Sequence, residues 1–127
     1  MIERQVVNPA AGFAEAVVIP GPGGRTVYLS GNVGFDAEGN IVPGGIEAET
    51  RATFANLEST LERAGGTLDH IVKILAFIVD LDDYAGYAKV RQELFADRLP
   101  ASSTVQVSGF VVDARIEIEG VAFIPDS

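Results

Sequence analysis

The stretch LPASSTVQVSGFVVDARIEIEGVAF, Leu99 to Phe123, decides how the chain folds. It reads as two β-strands joined by a short turn. The second strand alternates Ile116, Glu117, Ile118 and Glu119. Successive side chains of a strand point to opposite faces, so Ile116 and Ile118 share one face while Arg115, Glu117 and Glu119 share the other. Three ionisable side chains on one face of an otherwise apolar strand meet either bulk water or a polar site.

Working outward, Pro100 closes a predicted helix from Tyr84 to Asp97, capped by Asp82-Asp83 and striped by Tyr84, Tyr87 (or Ala88), Arg91 and Leu94/Phe95. Arg91 falls inside that apolar stripe and is expected to make a salt bridge at the helix edge. Before it, His70 to Leu81 (HIVKILAFIVDL) is apolar on both faces and rich in β-branched residues, as a covered central strand would be. Lys73 is its one interior charge, and either snorkels to water or serves a site. His70, the single histidine, reads as an edge residue.

A first helix is predicted over Ile46 to Ala64. Ile46, Thr50, Phe54 (or Thr53), Leu57, Leu61 and Ala64 recur at helical steps, with Glu47, Glu49, Arg51, Glu58 and Glu62 on the wet side. Gly65-Gly66 ends it. Gly31 to Gly45 reads as a loop whose glycines lack the context of a phosphate cradle. Glu15 to Pro20 and Thr26 to Ser30 flank Gly21-Pro22-Gly23-Gly24 as a hairpin, and Glu3 to Val7 is a further short strand. The resulting order, β-β-β-α-β-α-β-β, makes an α+β two-layer sandwich. Two helices cover one face of a mixed sheet of about six strands, in a single domain over residues 1–127. Strands 71–79 and 115–124 carry more apolar surface than one helical layer hides, so other copies of the chain are expected on the second face.

Composition narrows the function classes. The 127 residues hold 9 Lys and Arg against 18 Asp and Glu, for a net charge of −9. That balance repels phosphate backbones and argues against a nucleic-acid partner. With no cysteine and one histidine, thiolate chemistry is absent and no metal or organic cofactor is indicated. Neither a signal peptide nor an apolar run of membrane-spanning length is visible, so a soluble, cytoplasmic protein is expected.

PASSTVQV (100–107) and IEIEGVA (116–122), with LSGNVG (29–34) and DLDDY (80–84) upstream, resemble the RidA family of reactive-intermediate deaminases, the YjgF-type proteins. The resemblance runs in matching order over nearly the whole chain. It implies a chorismate-mutase-like subunit assembled as a homotrimer, with pockets between neighbouring subunits. It also implies hydrolysis of 2-imino acids, or their enamine tautomers, to 2-keto acids and ammonia.

Several positions depart from the family pattern. The arginine that grips the substrate carboxylate in the Pro-Ala-Arg-Ser segment is Ser102 here, and a hydroxyl supplies no positive charge. The family tyrosine near the N-terminus is Phe13, a frequent asparagine of the second helix is Ala88, and a frequent glutamine is Asn32. What remains is Glu117, matching the family glutamate that handles the attacking water, and the backbone around Gly31. The expected pocket therefore holds Phe13, Ser30, Gly31, Asn32, Ala88, Ser102, Thr104 and Glu117, with Glu117 as general acid/base on an imine, enamine or related unsaturated small molecule, by hydrolysis, tautomerisation or cyclisation. Losing the clamp argues against the generic 2-aminoacrylate deaminase. The loss also leaves open a non-catalytic trimeric metabolite binder. Arg115, about 7 Å from Glu117 by strand rise, is either a replacement anion anchor or a neutraliser of Glu117 or Glu119. Glu15 either lines the mouth of the pocket or is a solvated strand residue.

Overall fold

The computed structural model describes residues 4–10 and 12–127, with the backbone alone at residues 8–10. Six strands form one sheet: β1 (Gln5–Ala10), β2 (Phe13–Gly21), β3 (Gly24–Asn32), β4 (Ile71–Ile78), β5 (Ala101–Gln106) and β6 (Ile116–Pro125). Their order across the sheet is β1-β2-β3-β6-β4-β5. Helices α1 (Ile46–Arg63) and α2 (Tyr84–Phe95) lie on one face. This is the expected two-layer α+β architecture. Of the strand expected at Glu3 to Val7, Glu3 lies outside the described residues.

The hairpin forms around Pro22-Gly23, with Gly21 opposite Gly24. Helix α1 stops where the glycine pair predicts. Gly65 adopts a φ of 91°, and the N–H groups of Gly65 and Gly66 donate to the carbonyls of Glu62 and Leu61. A Cβ at Gly65 would resist that left-handed turn. The carbonyl of Ala64 is left over, and the guanidinium of Arg25 on β3 donates to it twice, at 2.8 and 3.1 Å. Between the layers, Phe54, Leu57 and Leu61 of α1 and Tyr87 and Phe95 of α2 meet Val27, Ile74, Ile78, Ile116 and Ile118 from the sheet, all fully buried or nearly so. Phe54 and Phe95 pack edge to face at 5.2 Å. That T-shaped contact locks the two helices together as well as burying area.

Two local expectations change. The strands of the opening stretch are not neighbours. β5 runs parallel to β4, with Ile74 beside Ser102 and Ala76 beside Thr104, whereas β6 runs antiparallel on β4's other side. The cause is connectivity. A strand that follows a crossover helix returns parallel to the strand before it, so β4-α2-β5 places β5 at the sheet edge. The link from Val107 to Arg115 must then cross β4 to reach β6, and is no tight turn. Glu49, placed on the wet side by periodicity, is only 5% exposed. Its carboxylate accepts the Arg115 backbone N–H at 2.8 Å and pairs with the Arg115 guanidinium at 3.6 Å. A buried acid is tolerated when a charge and a donor both face it.

The sheet's other face carries no helix. Tyr28, Leu75, Phe77, Val105, Val121 and Phe123 stand on it, and Tyr28 and Phe123 remain 49% and 39% exposed. Glu117 belongs to this open face, since Ile116, Ile118, Gly120, Ala122 and Ile124 take the helix-covered one.

Candidate active site

The site begins with a defect in the β3–β6 ladder. Leu29 pairs with Gly120 and Asn32 with Ile118, so Ser30 and Gly31 together stand opposite one residue, Glu119. An extra residue in one strand bends it and re-aims its side chains, as bulges commonly do beside reactive sites. Here the bulge brings the Gly31 backbone against the carboxyl of Glu117. A Cβ built on Gly31 would lie 2.6 Å from Glu117 Oε2 and 2.9 Å from its Cδ. No other residue type leaves that carboxyl where it is. Ser30 fixes the bulge from the opposite side by donating its hydroxyl to the Ala14 carbonyl on β2, at 2.6 Å.

The resulting cavity, about 270 Å³, is lined by Phe13, Ser30, Gly31, Asn32 and Glu117, all predicted from the sequence, and by Glu15. Val33, Phe35, Val111 and Val112 complete its walls and were not anticipated. The last two come from the β5–β6 link, the segment expected to be a short turn. In this mainly apolar setting the Glu117 carboxyl titrates above its ordinary value, first because burial penalises its charged form and then because Glu119 is nearby. Glu15 lines the cavity and is also held by α1, with Arg63 and the Thr60 hydroxyl both donating to Oε2. It is therefore an ion-paired carboxylate at the mouth.

Ser102 and Thr104 do not join this cavity. Their register beside Ile74 and Ala76 turns them to the helix-covered face of the sheet, away from Glu117. They line a second cavity of about 470 Å³ with Tyr84, Arg91, Leu99 and Pro100. Arg91 makes no salt bridge among the described residues. It reaches the Ser102 hydroxyl at 3.4 Å and the Tyr84 hydroxyl at 3.3 Å, and its guanidinium stacks 5.1 Å from the Tyr87 ring centre and 5.7 Å from that of Tyr84.

Ala88 lines neither cavity; it lies on another face of α2, beside Lys89 and Gln92. Arg115 takes neither of its two expected roles. Its guanidinium pairs with Asp83 at 3.2 Å and with Glu49, leaving Glu117 and Glu119 alone. Asp83 is thereby occupied. α2 therefore starts without the side-chain cap expected from Asp82-Asp83, and Asp80 instead caps the short 3-10 turn Leu81–Asp83 before it by accepting the Asp82 N–H at 2.8 Å. Lys73 donates to Ser103 at 3.0 Å on the open face, and His70 Nδ1 accepts the Thr67 N–H, a capping role. Among the described residues, no three His, Cys, Asp or Glu side chains cluster as metal ligands.

Residues 3–124 match the family model described as endoribonuclease L-PSP, the YjgF/RidA group. The chain belongs to the RidA family. It is 33% identical to the 2-iminobutanoate/2-iminopropanoate deaminase of Rattus norvegicus, across 95% of this chain and 90% of that one. A RutC family protein of Drosophila melanogaster, UK114, is 36% identical over 91% of this chain and 81% of its own length. RidA from the Antarctic bacterium Psychrobacter superposes with a TM-score of 0.82 at 31% identity, covering 97% and 98% of the two chains. The Rid protein YyfA of Yersinia pestis reaches 0.86 at 28%, covering 96% and 100%. The expected RidA-like fold is thus shared along essentially the whole length. No helix among the described residues is long and apolar enough to cross a membrane.

Proposed function

We propose that this RidA-family chain is a small-molecule enzyme of the deaminase type, in which Glu117 moves the protons for hydrolysis of an imine or its enamine tautomer. The observation that carries this reading is the Glu117 carboxyl itself, pressed against a glycine bulge in an apolar cavity and raised above its ordinary pKa by burial and by Glu119. A carboxyl poised upward keeps a useful protonated fraction nearer neutral pH and still accepts a proton readily. It protonates the imine nitrogen, or the enamine carbon. As carboxylate it then takes a proton from the water that attacks the C=N carbon. The tetrahedral carbinolamine collapses to a carbonyl and releases ammonia, with no net proton gained or lost by Glu117. Relatives named as 2-iminobutanoate/2-iminopropanoate deaminases, at about one-third identity, support this reaction class.

The working form proposed is a homotrimer. In one subunit Glu117 and Ser102 lie on opposite faces of the sheet, so a single copy cannot present both to one substrate. The uncovered apolar face supplies the surface for neighbouring copies. Phe13, Phe35 and Val112 make the acid cavity more apolar than a site tailored to 2-aminoacrylate, which favours a bulkier side chain on the substrate. RNA cleavage, the activity in the family model's description, is disfavoured by the net charge of −9.

The test is keto-acid formation from imines generated in place by an amino-acid oxidase. The protein accelerates the hydrolysis and Glu117→Gln abolishes the acceleration. Full turnover in that variant would remove Glu117 from its role.

A further inference from the structure

The cavity around Ser102 holds a cation that the proposed chemistry has not used. Five neutral residues line it, and the sixth is Arg91. Four other arginines are committed: Arg51 to Glu93, Arg63 to Glu15, Arg115 to Glu49 and Asp83, and Arg25 to the end of α1. Arg91 instead is steered by neutral groups. Two tyrosine faces and two hydroxyls hold its plane, and none of them cancels its charge. Beneath it the Tyr87 hydroxyl is fully buried without a hydrogen-bond partner. The cavity floor offers two further donors, the hydroxyls of Ser102 and Thr104, and an apolar side formed by Leu99 and Pro100.

We infer that Arg91 is an anion anchor, and that the ligand it takes is the carboxylate of a small metabolite. A planar guanidinium presents paired N–H donors matched to a carboxylate's two oxygens. It needs only to exchange its long, weak bonds to Ser102 and Tyr84 for two short charge-assisted ones. Ser102 stands at the position where the family pattern carries an arginine on β5; here the charge arrives at the same spot from α2. Loss of the clamp from the strand is therefore not loss of the clamp. This inference rests on the proposed function for its use, since it makes the substrate an imino or enamino acid. It stands or falls, however, on binding alone.

The experiment is equilibrium titration of the full-length protein with 2-oxo-4-methylpentanoate, a stable product-like acid, followed by calorimetry. The matching neutral amide and inorganic phosphate serve as parallel probes. The acid binds, and the amide and phosphate bind at least about tenfold more weakly, a ratio worth one charge-assisted contact. Arg91→Gln weakens the acid about tenfold or more, Arg91→Lys by an intermediate factor, and Lys89→Gln, which removes a cation on another face of α2, leaves it within about twofold. Adding Ser102→Arg to Arg91→Gln restores binding, because both positions serve one subsite. Circular dichroism establishes that each variant is folded, and Arg91→Lys carries the test if the glutamine variant is not. Unchanged acid affinity in the folded Arg91 variants overturns the anchor and leaves the role of Glu117 intact. Phosphate binding as tight as the acid overturns the carboxylate assignment. Turnover surviving in Glu117→Gln, with binding still lost in Arg91→Gln, overturns the proposed chemistry and keeps the anchor.

Discussion

The two cavities of this subunit are built by opposite means. The acid cavity sits on the open face of the sheet and owes its shape to backbone: a bulge in β3, a glycine at its apex, and an interior strand, β6, bonded on both sides. The arginine cavity sits on the helix-covered face at the sheet edge and owes its shape to side chains, with α2 laying Tyr84 and Arg91 over β5. Backbone construction gives the acid a fixed wall to rest against. Side-chain construction gives a cation that can swing by an ångström or two to meet a ligand. Proton transfer tolerates little misplacement, whereas anchoring a carboxylate tolerates more.

The sharpest way to break the contrast is at the acid. Glu117→Gln keeps size and hydrogen bonding but removes the titratable proton, and turnover should fall by about 10² to 10⁴-fold with the fold unchanged. A loss under tenfold, measured on the keto-acid product, would make the backbone-built cavity an ordinary polar notch. Next comes Gly31→Ala. The added methyl drives the flexible end of Glu117 aside rather than unfolding the sheet, so turnover should drop by about 10 to 100-fold while thermal stability changes little. Equal turnover in this variant would show that the close approach in the bulge has no catalytic consequence.

A smaller effect is expected where the two regions are tied together. Arg115 immediately precedes β6, which carries Glu117, and grips Asp83, which immediately precedes α2, which carries Arg91. Arg115→Ala strips the buried Glu49 of its counter-charge but leaves it the backbone N–H. Because the guanidinium is 55% exposed, the expected destabilisation is only about 1–2 kcal/mol, read from denaturant midpoints. A null result would mean that the two regions are anchored independently.

The smallest effect is in pH. Burial, and then Glu119, raise Glu117 in the folded state, so the native protein holds that proton more tightly than the unfolded chain. The stability associated with it is complete below the ordinary carboxyl value of 4.5 and declines as pH rises through the native value. Glu117→Gln lacks this decline. The difference in Tm, variant minus wild type, should therefore grow from pH 4 to pH 7. A flat or falling difference would contradict the raised value.

The acid cavity was largely legible in the amino-acid sequence and the arginine cavity was not, for physical reasons. Alternation along Ile116-Glu117-Ile118-Glu119 is a local signal, and strand geometry converts it directly into a face. Gly31 and Phe13 came with the family resemblance and fell into the same cavity. Arg91 was visible as an odd member of an apolar stripe, but helical periodicity says only that it points toward the sheet. Which residue it meets depends on β5 returning parallel at the edge, a fact of chain connectivity. The same connectivity separated Ser102 from Glu117 and turned the supposed tight link of 107–115 into a crossing that lines the acid cavity, whereas Ala88 sits on a different side of α2 because it is one helical step, about 100°, from the buried Tyr87. Glu49 and Arg115 were misplaced for a related reason, since a long-range pair between a helix and a strand's first residue leaves no trace in local spacing.

The close fit of Gly31 to Glu117 also constrains how this sequence can drift. A side chain at position 31 and a full-length acid at position 117 compete for the same volume, so the two positions cannot vary independently. An alanine at 31 becomes acceptable only alongside an acid one methylene shorter, and that acid alone would draw back from its ligand. Each single step carries a penalty that the pair together partly relieves. Two residues nearly ninety positions apart in the chain thus behave sterically as one unit.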